Sequence, residues 1–272
     1  MTQSQRPGQI PQQRTRRNGE SAPRQGCYVY GIFPGDIQVD SDVTGVGDPP
    51  ARIKAVRDDD LAALISAVEL DRPLGTPEDL RAHKRILDSS VAEVPVVPMR
   101  FGAVLSDEDA VATELLQANH NAFADALREL DGRVQYVVKG RYAEPAILAE
   151  VLSENREAQQ LRREIKGTDP AATRDARMRL GEIISDAIEV KRGNDTRLLS
   201  ERMDGHCVAS AVRAPSHELD AAHVAFLLEQ GQESELEQVV DGLAADWDGR
   251  VELRVLGPMA AYDFVVTSAP RG

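Results

Sequence analysis

The strongest constraint on this chain is an internal echo. Asp131-Gly-Arg-Val-Gln-Tyr-Val-Val138 and Asp248-Gly-Arg-Val-Glu-Leu-Arg-Val255 share their first four residues and their eighth. Each copy follows a stretch of helical periodicity and opens an alternating strand. A chain that repeats helix–turn–strand is neither an all-helical bundle nor an all-β sandwich, so the class is α+β. Two α+β domains built around similar units explain the echo, and so does a common turn solution. Helix-to-strand alternation with hairpin-like strand pairs points to a ferredoxin-like layout in each half. The 272 residues suffice for one large or two ordinary domains. With 42% hydrophobic residues but only 4% aromatics, the core must be mainly Ala, Val, Leu and Ile.

Periodicity places the elements. Cys27-Tyr-Val-Tyr-Gly-Ile-Phe33 is apolar on both faces and reads as a well-covered strand. A Gly/Pro/Asp-rich loop is expected from Pro34 to Pro50, then a half-exposed strand, Arg52 to Arg57. Asp58 to Asp60 suit a helix start, and Leu61, Leu64, Ile65 and Val68 make a helical stripe behind them. Thr76, Pro77 and Asp79 form the start of a second helix, whose inner face reads Leu80, His83, Leu87 and Val91. Pro95 and Pro98 make Val94 to Gly102 an edge strand or extended loop, a hinge in which Phe101 should be buried. A helix from Ser106 to about Leu130 should turn Val111, Leu115, Ala118, Ala122, Phe123, Ala126 and Leu130 inward. Val134, Tyr136, Val138 and Tyr142 then alternate with Arg133, Gln135, Lys139 and Arg141 in a half-buried strand.

The middle of the chain reads as a helical hairpin, 144–166 and 170–192, with Gly167 ending one arm and Asp169 and Pro170 opening the other. Ile147, Val151, Ala158, Leu161 and Ile165 form a near coiled-coil seam along the first arm. A short helix from Asp195 to about Arg202 follows. Strands at His206–Arg213, Ala222–Glu229 and Arg250–Leu256, with a helix at Ser234–Trp247, complete the pattern. The resulting division is a basic tail, 1–26, a ferredoxin-like unit, 27–143, the helices, 144–204, and an α+β part, 205–272, packed with them.

Charge excludes some functions. The chain carries −13 overall, but its first 26 residues hold five arginines against one glutamate, which leaves −17 on the rest. A body so acidic lacks the basic face that nucleic-acid binding requires. The tail has nothing to bury and is expected to be disordered and solvated; Pro7 and Pro11 discourage an amphipathic presequence helix. No apolar run reaches the roughly 18–20 residues of a membrane span. Cys27 and Cys207, alone and far apart, form neither a zinc set nor a disulfide framework, which fits a cytoplasmic protein with reduced thiols.

The catalytic inventory is thin. No Walker A loop, Gly-x-Ser-x-Gly elbow or His-Glu-x-x-His occurs. Gly45-Val-Gly-Asp48 lacks a following helix and lysine, so it reads as loop. His217, Glu218, Asp220 and His223 are the densest ligand cluster, but Pro215 and Ser216 suggest a turn that would separate them. His83 on an apolar stripe reads as a core histidine first and a ligand or acid–base group second. Arg100 is expected to pair with an acid rather than hold an anion, and Cys207 to fill core space in a strand. No catalytic, cofactor or metal site is assembled by these residues.

Tyr28-Val-Tyr-Gly-Ile32, His83 before a break, and Val97-Pro-Met-Arg-Phe-Gly-Ala-Val-Leu105 closely resemble the gas vesicle protein family GvpF/GvpL. Ala225-Phe-Leu-Leu228 and Gly257-Pro-Met-Ala-Ala-Tyr-Asp-Phe-Val265 resemble that family's later strand and its ending, with Ala260 and Ala261 where the family has prolines. The match spans about residues 27–266. The resemblance implies an accessory protein of gas vesicle assembly, cytoplasmic and vesicle-associated, with a two-domain α+β fold and no cofactor. The implied partner is the small apolar shell protein, with other accessory proteins of the vesicle beside it. The motif residues it singles out, as packing or partner contacts, are Tyr28, Tyr30, His83, Pro98, Arg100, Phe101, Gly102, Gly257, Pro258, Tyr262 and Phe264. The competing reading is a small-molecule-binding regulatory module built on ferredoxin-like domains.

Overall fold

The computed structural model describes residues 24–40, 42–91 and 93–265; the basic segment up to residue 23 lies outside them. Strand β1 (Gln25–Pro34) begins two residues before the expected Cys27. It is apolar on both faces because each face has its own core. Tyr28, Tyr30 and Phe33 enter the larger one, while Cys27, Val29 and Ile32 enter the second. A register shift between Val29 and Gly31 keeps both sets inward.

The segment read as a loop contains a hairpin, β2 (Thr44–Gly47) and β3 (Pro50–Arg52). Gly45 is there because the Tyr30 hydroxyl occupies the space of a side chain: a Cβ on Gly45 would lie 2.0 Å from Tyr30 Oη. Strand β4 (Lys54–Asp58) turns through Asp59, at φ 52°, into β5 (Leu61–Glu69). The helix expected from Leu61 is therefore a strand. β5 lies between β1 and β4 with both faces covered, so its apolar run is continuous and includes buried Ala62 and Ala63. Residues 61, 64, 65 and 68 of such a run mimic a helical stripe.

Helix α1 (Pro77–Ser90) starts as its sequence dictates. Thr76 accepts from the Asp79 N–H and Asp79 accepts from the Thr76 N–H, a reciprocal cap. Its buried stripe is Asp79, Ala82, His83, Ile86 and Leu87; Leu80, expected inward, is 48% exposed. β6 (Val97–Pro98) and β7 (Val104–Leu105) are two short pieces of one edge, both paired to β1, so the Pro98–Gly102 segment joins two strands rather than a strand and a helix. Proline is tolerated there because an edge need not supply every N–H.

The next helix is interrupted. Asp107 caps α2 (Glu108–Ala110), a π-helical turn covers Val111–Leu116, a 3-10 turn Gln117–Asn119, and α3 (His120–Leu130) completes it. The wider π turn resets the helical phase. Leu116 and Leu127 are buried, whereas Ala118 and Ala122, inward on an uninterrupted 3.6-residue period, are exposed.

The second half holds β8 (Arg133–Tyr142), α4 (Glu144–Glu154), α5 (Arg156–Ile165), α6 (Arg174–Met203), β9 (Ala209–Val212), β10 (Asp220–Glu229), α7 (Glu233–Asp246) and β11 (Val251–Met259). The first hairpin arm breaks at Asn155, whose side chain accepts from the Ala158 N–H and starts α5. Gly167 takes the expected left-handed conformation, φ 78°. Asp169 and Pro170 do not open the next helix; α6 begins at Arg174, and it runs on through the expected short helix at 195–202.

The strand orders are β4-β5-β1-β6 and β11-β8-β10-β9, antiparallel throughout. In each sheet the second, third, first and fourth strands of a unit lie side by side, the ferredoxin-like order. The first crossover is α4–α6 in the second unit and the β2–β3 hairpin in the first. Two expectations change. β8 pairs with β10 and β11, so it is a strand of the second sheet and not the end of a unit closing at residue 143. The two Asp-Gly-Arg-Val turns, with Gly132 and Gly249 both at φ 68°, open neighbouring strands of one sheet rather than equivalent strands of two domains. The larger core is continuous from Tyr28 and Leu87 to Tyr136, Phe226 and Leu236. Among the described residues, no helix is long and apolar enough to cross a membrane.

Candidate functional site

Five of the motif residues meet in one aromatic cluster between the halves. Tyr28 and Tyr30 come from β1, His83 from α1, Phe101 from the turn between β6 and β7, and Tyr262 from the segment after β11. Tyr28 Oη lies 2.9 Å from His83 Nδ1 and accepts from the Gly102 N–H at 3.2 Å. Tyr30 Oη lies 2.8 Å from Ser66 Oγ and accepts from the Val46 N–H at 2.6 Å. The His83 ring stacks on Tyr30 at 5.8 Å and meets Phe101 edge-on at 5.6 Å, with Tyr262 at 6.5 Å.

Burial sets the protonation states. His83 is 4% exposed, and desolvation pushes its imidazole down to about 4, against the opposing effects of the Met99 backbone and the Asp88 charge. Desolvation likewise raises the Tyr28, Tyr30 and Tyr262 phenols. With Gly102 donating to Tyr28 Oη, the phenol hydrogen is assigned to His83 Nδ1, which leaves the ring hydrogen on Nε2. That Nε2 has no partner of hydrogen-bond geometry. A neutral imidazole wedged between neutral phenols holds the fold together; among the described residues no carboxylate hydrogen-bonds to it, and Asp88 acts on it through its charge alone.

The remaining motif residues lie around this cluster. Pro98 is buried, Phe101 half-buried rather than buried, and Gly102 exposed at φ 89°. Arg100 is exposed, and among the described residues no carboxylate pairs with it, contrary to the ion pair expected from the sequence. Gly257 sits at φ 144° where β11 bulges, and a Cβ there would lie 2.6 Å from Tyr136 Cδ1. Pro258 is exposed; Tyr262 joins the larger core and Phe264 the second. Ala260 and Ala261 are buried, and the Ala260 N–H donates to Asp88 Oδ1 at 3.3 Å. The segment is clasped again where Gln135 donates to Asp263 Oδ2 at 2.6 Å and accepts from the Asp263 N–H at 3.1 Å. Strand alternation placed Gln135 outward among solvated residues. Its partner lies 128 residues downstream, and no local signal announces it.

The other candidate residues do not converge. Asp220 is buried and accepts from the Ser216 and His217 N–H groups, while His223 Nδ1 lies against the Ala214 carbonyl, so the 217–223 group forms a turn brace and not a ligand set. Cys207 lies ahead of β9 in irregular chain, not in a strand. Among the described residues Asp59, Asp60 and His120 bring ligand atoms within 4.8 Å, with His120 Nε2 already 2.7 Å from Asp60 Oδ1. A cleft of about 570 Å³ opens between α4, α6 and the 215–219 turn, floored by Leu148, Ile184 and Ile188.

Known proteins share this architecture. A family model described as gas vesicle synthesis protein GvpL/GvpF matches residues 26–266. A Gas vesicle protein F of Streptomyces sp. (strain CB03234) is 33% identical over 242 residues, covering 88% of this chain and 98% of that protein. A Gas vesicle protein L of the same strain is 29% identical over 253 residues, covering 87% and 91%. The crystal structure of GvpF from Anabaena sp. PCC7120 matches with a TM-score of 0.69 at 22% identity, over 88% of this chain and 97% of that one. That of GvpF from Microcystis aeruginosa also gives 0.69, at 20% identity, over 88% and 98%. At such identities the two structures speak for the fold.

Proposed function

The chain belongs to the GvpL/GvpF family of gas vesicle synthesis proteins, and from that membership we propose that it is a non-catalytic accessory protein that binds the small hydrophobic shell subunit. The supporting observation is the family match over nearly the whole chain, with the aromatic motif residues and His83 packed into the cores instead of lining a reactive cleft. The physical rationale is direct. A subunit that polymerises through apolar surface needs a folded protein to hold it until it is placed.

The N-terminal half is the proposed docking region. Its sheet ends on one side at β4, whose outer flank pairs with no strand among the described residues and could accept an added strand. The opposite edge, β6 and β7, is broken into two-residue pieces and is the poorer template. The test is capture of a co-expressed shell subunit by the full chain, with a photo-reactive residue at exposed position 54. Capture with cross-linking from position 54 supports both parts of the proposal. Capture without that cross-link moves the surface elsewhere, and an inert full chain sinks the function. The cleft against α6 favours a second reading, a small-molecule regulatory module, since its volume suits a metabolite. Thermal stabilisation by a metabolite panel, without shell capture, would select that reading.

A further inference from the structure

The second sheet also ends in an unpaired edge, and its charges are arranged in an unusual way. β11 pairs on one flank with β8, and among the described residues no strand lies on the other. The Ala143 N–H donates to the Arg250 carbonyl at 2.9 Å, which fixes the phase of the ladder. Alternate residues of an antiparallel strand address the same neighbour, so Val251, Leu253 and Val255 turn their N–H and C=O groups away from β8, with the Val251 N–H taken by the Trp247 carbonyl at 3.1 Å. The open ladder thus runs from the Val251 carbonyl through Val255, and it ends at Gly257 and at Pro258, which has no N–H. The opposite edge of the sheet, β9, is only four residues long.

Side chains along this edge select one occupant. Leu253 and Val255 are half-buried, while Glu252 and Arg254 are exposed and bonded to each other at 2.6 and 2.9 Å. Three antiparallel registers pair three or more residues of this run with a second copy. Centring on Glu252 sets Glu opposite Glu, and centring on Arg254 sets Arg opposite Arg, both unfavourable. Centring on Leu253 sets Glu252 opposite the Arg254 of the other copy twice, with Val251 opposite Val255 and Leu253 opposite itself. Charged residues on an edge ordinarily discourage pairing. Here their opposite signs make the edge complementary to a copy of itself. We infer that β11 pairs antiparallel with β11 of a second copy of this chain, centred on Leu253, joining the two four-stranded sheets across a two-fold axis.

This surface is on the second sheet and does not depend on the shell-binding proposal. The experiment is sedimentation velocity on the full chain across a concentration series. The wild type is expected to show a reversible monomer–dimer equilibrium. Glu252→Arg and Arg254→Glu, each alone, should weaken association about tenfold or more, because each places like charges opposite one another twice. The two single variants mixed together, and the double exchange Glu252→Arg/Arg254→Glu, should both associate as the wild type does. Unchanged thermal unfolding of the exchanged protein shows that folding is not what moved. A wild type monomeric throughout the series, or single variants that associate as tightly as the wild type, overturns the inference. So does failure of the double exchange to restore what either single variant lost.

Discussion

Tyr28 serves two neighbours through one oxygen, and that makes it the residue whose loss is easiest to read. Tyr28→Phe keeps the ring between Tyr30 and Phe101 but leaves His83 Nδ1 and the Gly102 N–H without their partner. Urea unfolding should show a loss of about 1–3 kcal/mol, the cost of polar groups stranded in a buried site. His83 adds a pH signature. Its imidazole titrates at about 4 in the folded protein, against an ordinary 6.5 once unfolded. Above 6.5 both states are neutral and nothing is lost; as pH falls from there, the unfolded chain takes up the proton first, so stability declines. Between pH 7 and 5 that amounts to about 2 kcal/mol. His83→Gln, which cannot titrate, should flatten this part of the stability–pH curve; an unchanged slope would place the titration elsewhere. At this scale much was legible. The motif residues and the core reading of His83 came from the sequence, whereas the Gln135–Asp263 clasp and the unpaired Arg100 depend on neighbours far along the chain.

Elements with one face to water were legible; of the apolar runs without one, β1 read correctly as a strand and β5 did not. α1 announced itself through Thr76, Pro77 and Asp79 because a cap is a local device. β5 did not, since a strand covered on both faces has no alternation to display, and its apolar run satisfied a helical spacing as well. The π turn at Val111–Leu116 defeated the phase of a helix whose existence was plain. Pro170 suited a first helical turn, yet α6 began four residues later at Arg174. The end of β11 offers the clearest test of an element. Gly257 combines φ 144° with backbone so close to β8 that a Cβ would lie 2.9 Å from the Gln135 carbonyl oxygen. Gly257→Ala should therefore cost at least about 2 kcal/mol, from backbone strain and overpacking together. Chemical denaturation measures it, and a loss under about 0.5 kcal/mol would mean the bulge can shift. The same variant should loosen the segment from Ala260 to Phe264, visible as faster amide exchange at Asp263, which donates to Gln135.

The whole molecule is one strand order used twice, with different fillings in the first crossover. That repetition was audible in the sequence as helix–strand alternation. The Asp-Gly-Arg-Val echo was a misleading guide to it, because it marks a shared turn and not equivalent strands. The boundary after residue 143 failed for a related reason: β8 is continuous in sequence with α3 but hydrogen-bonded to β10 and β11. Packing then ties the two sheets together. Tyr28, Tyr30 and Leu87 of the first half share a core with Tyr136, Phe226 and Leu236 of the second, and Ala260 from the last segment lies in it as well. A core shared in this way couples unfolding, so damage on one side should be felt on the other. Phe226→Ala removes a fully buried ring from β10, at a cost of about 3–5 kcal/mol. It should lower the midpoint of a single thermal transition by about 10 °C. Native-state hydrogen exchange locates the coupling, because protection in β1 should fall by the same free energy as protection in β10. If β1 keeps its wild-type protection while β10 loses its own, or if the thermal transition splits in two, the halves unfold separately and the shared core does not bind them into one cooperative unit.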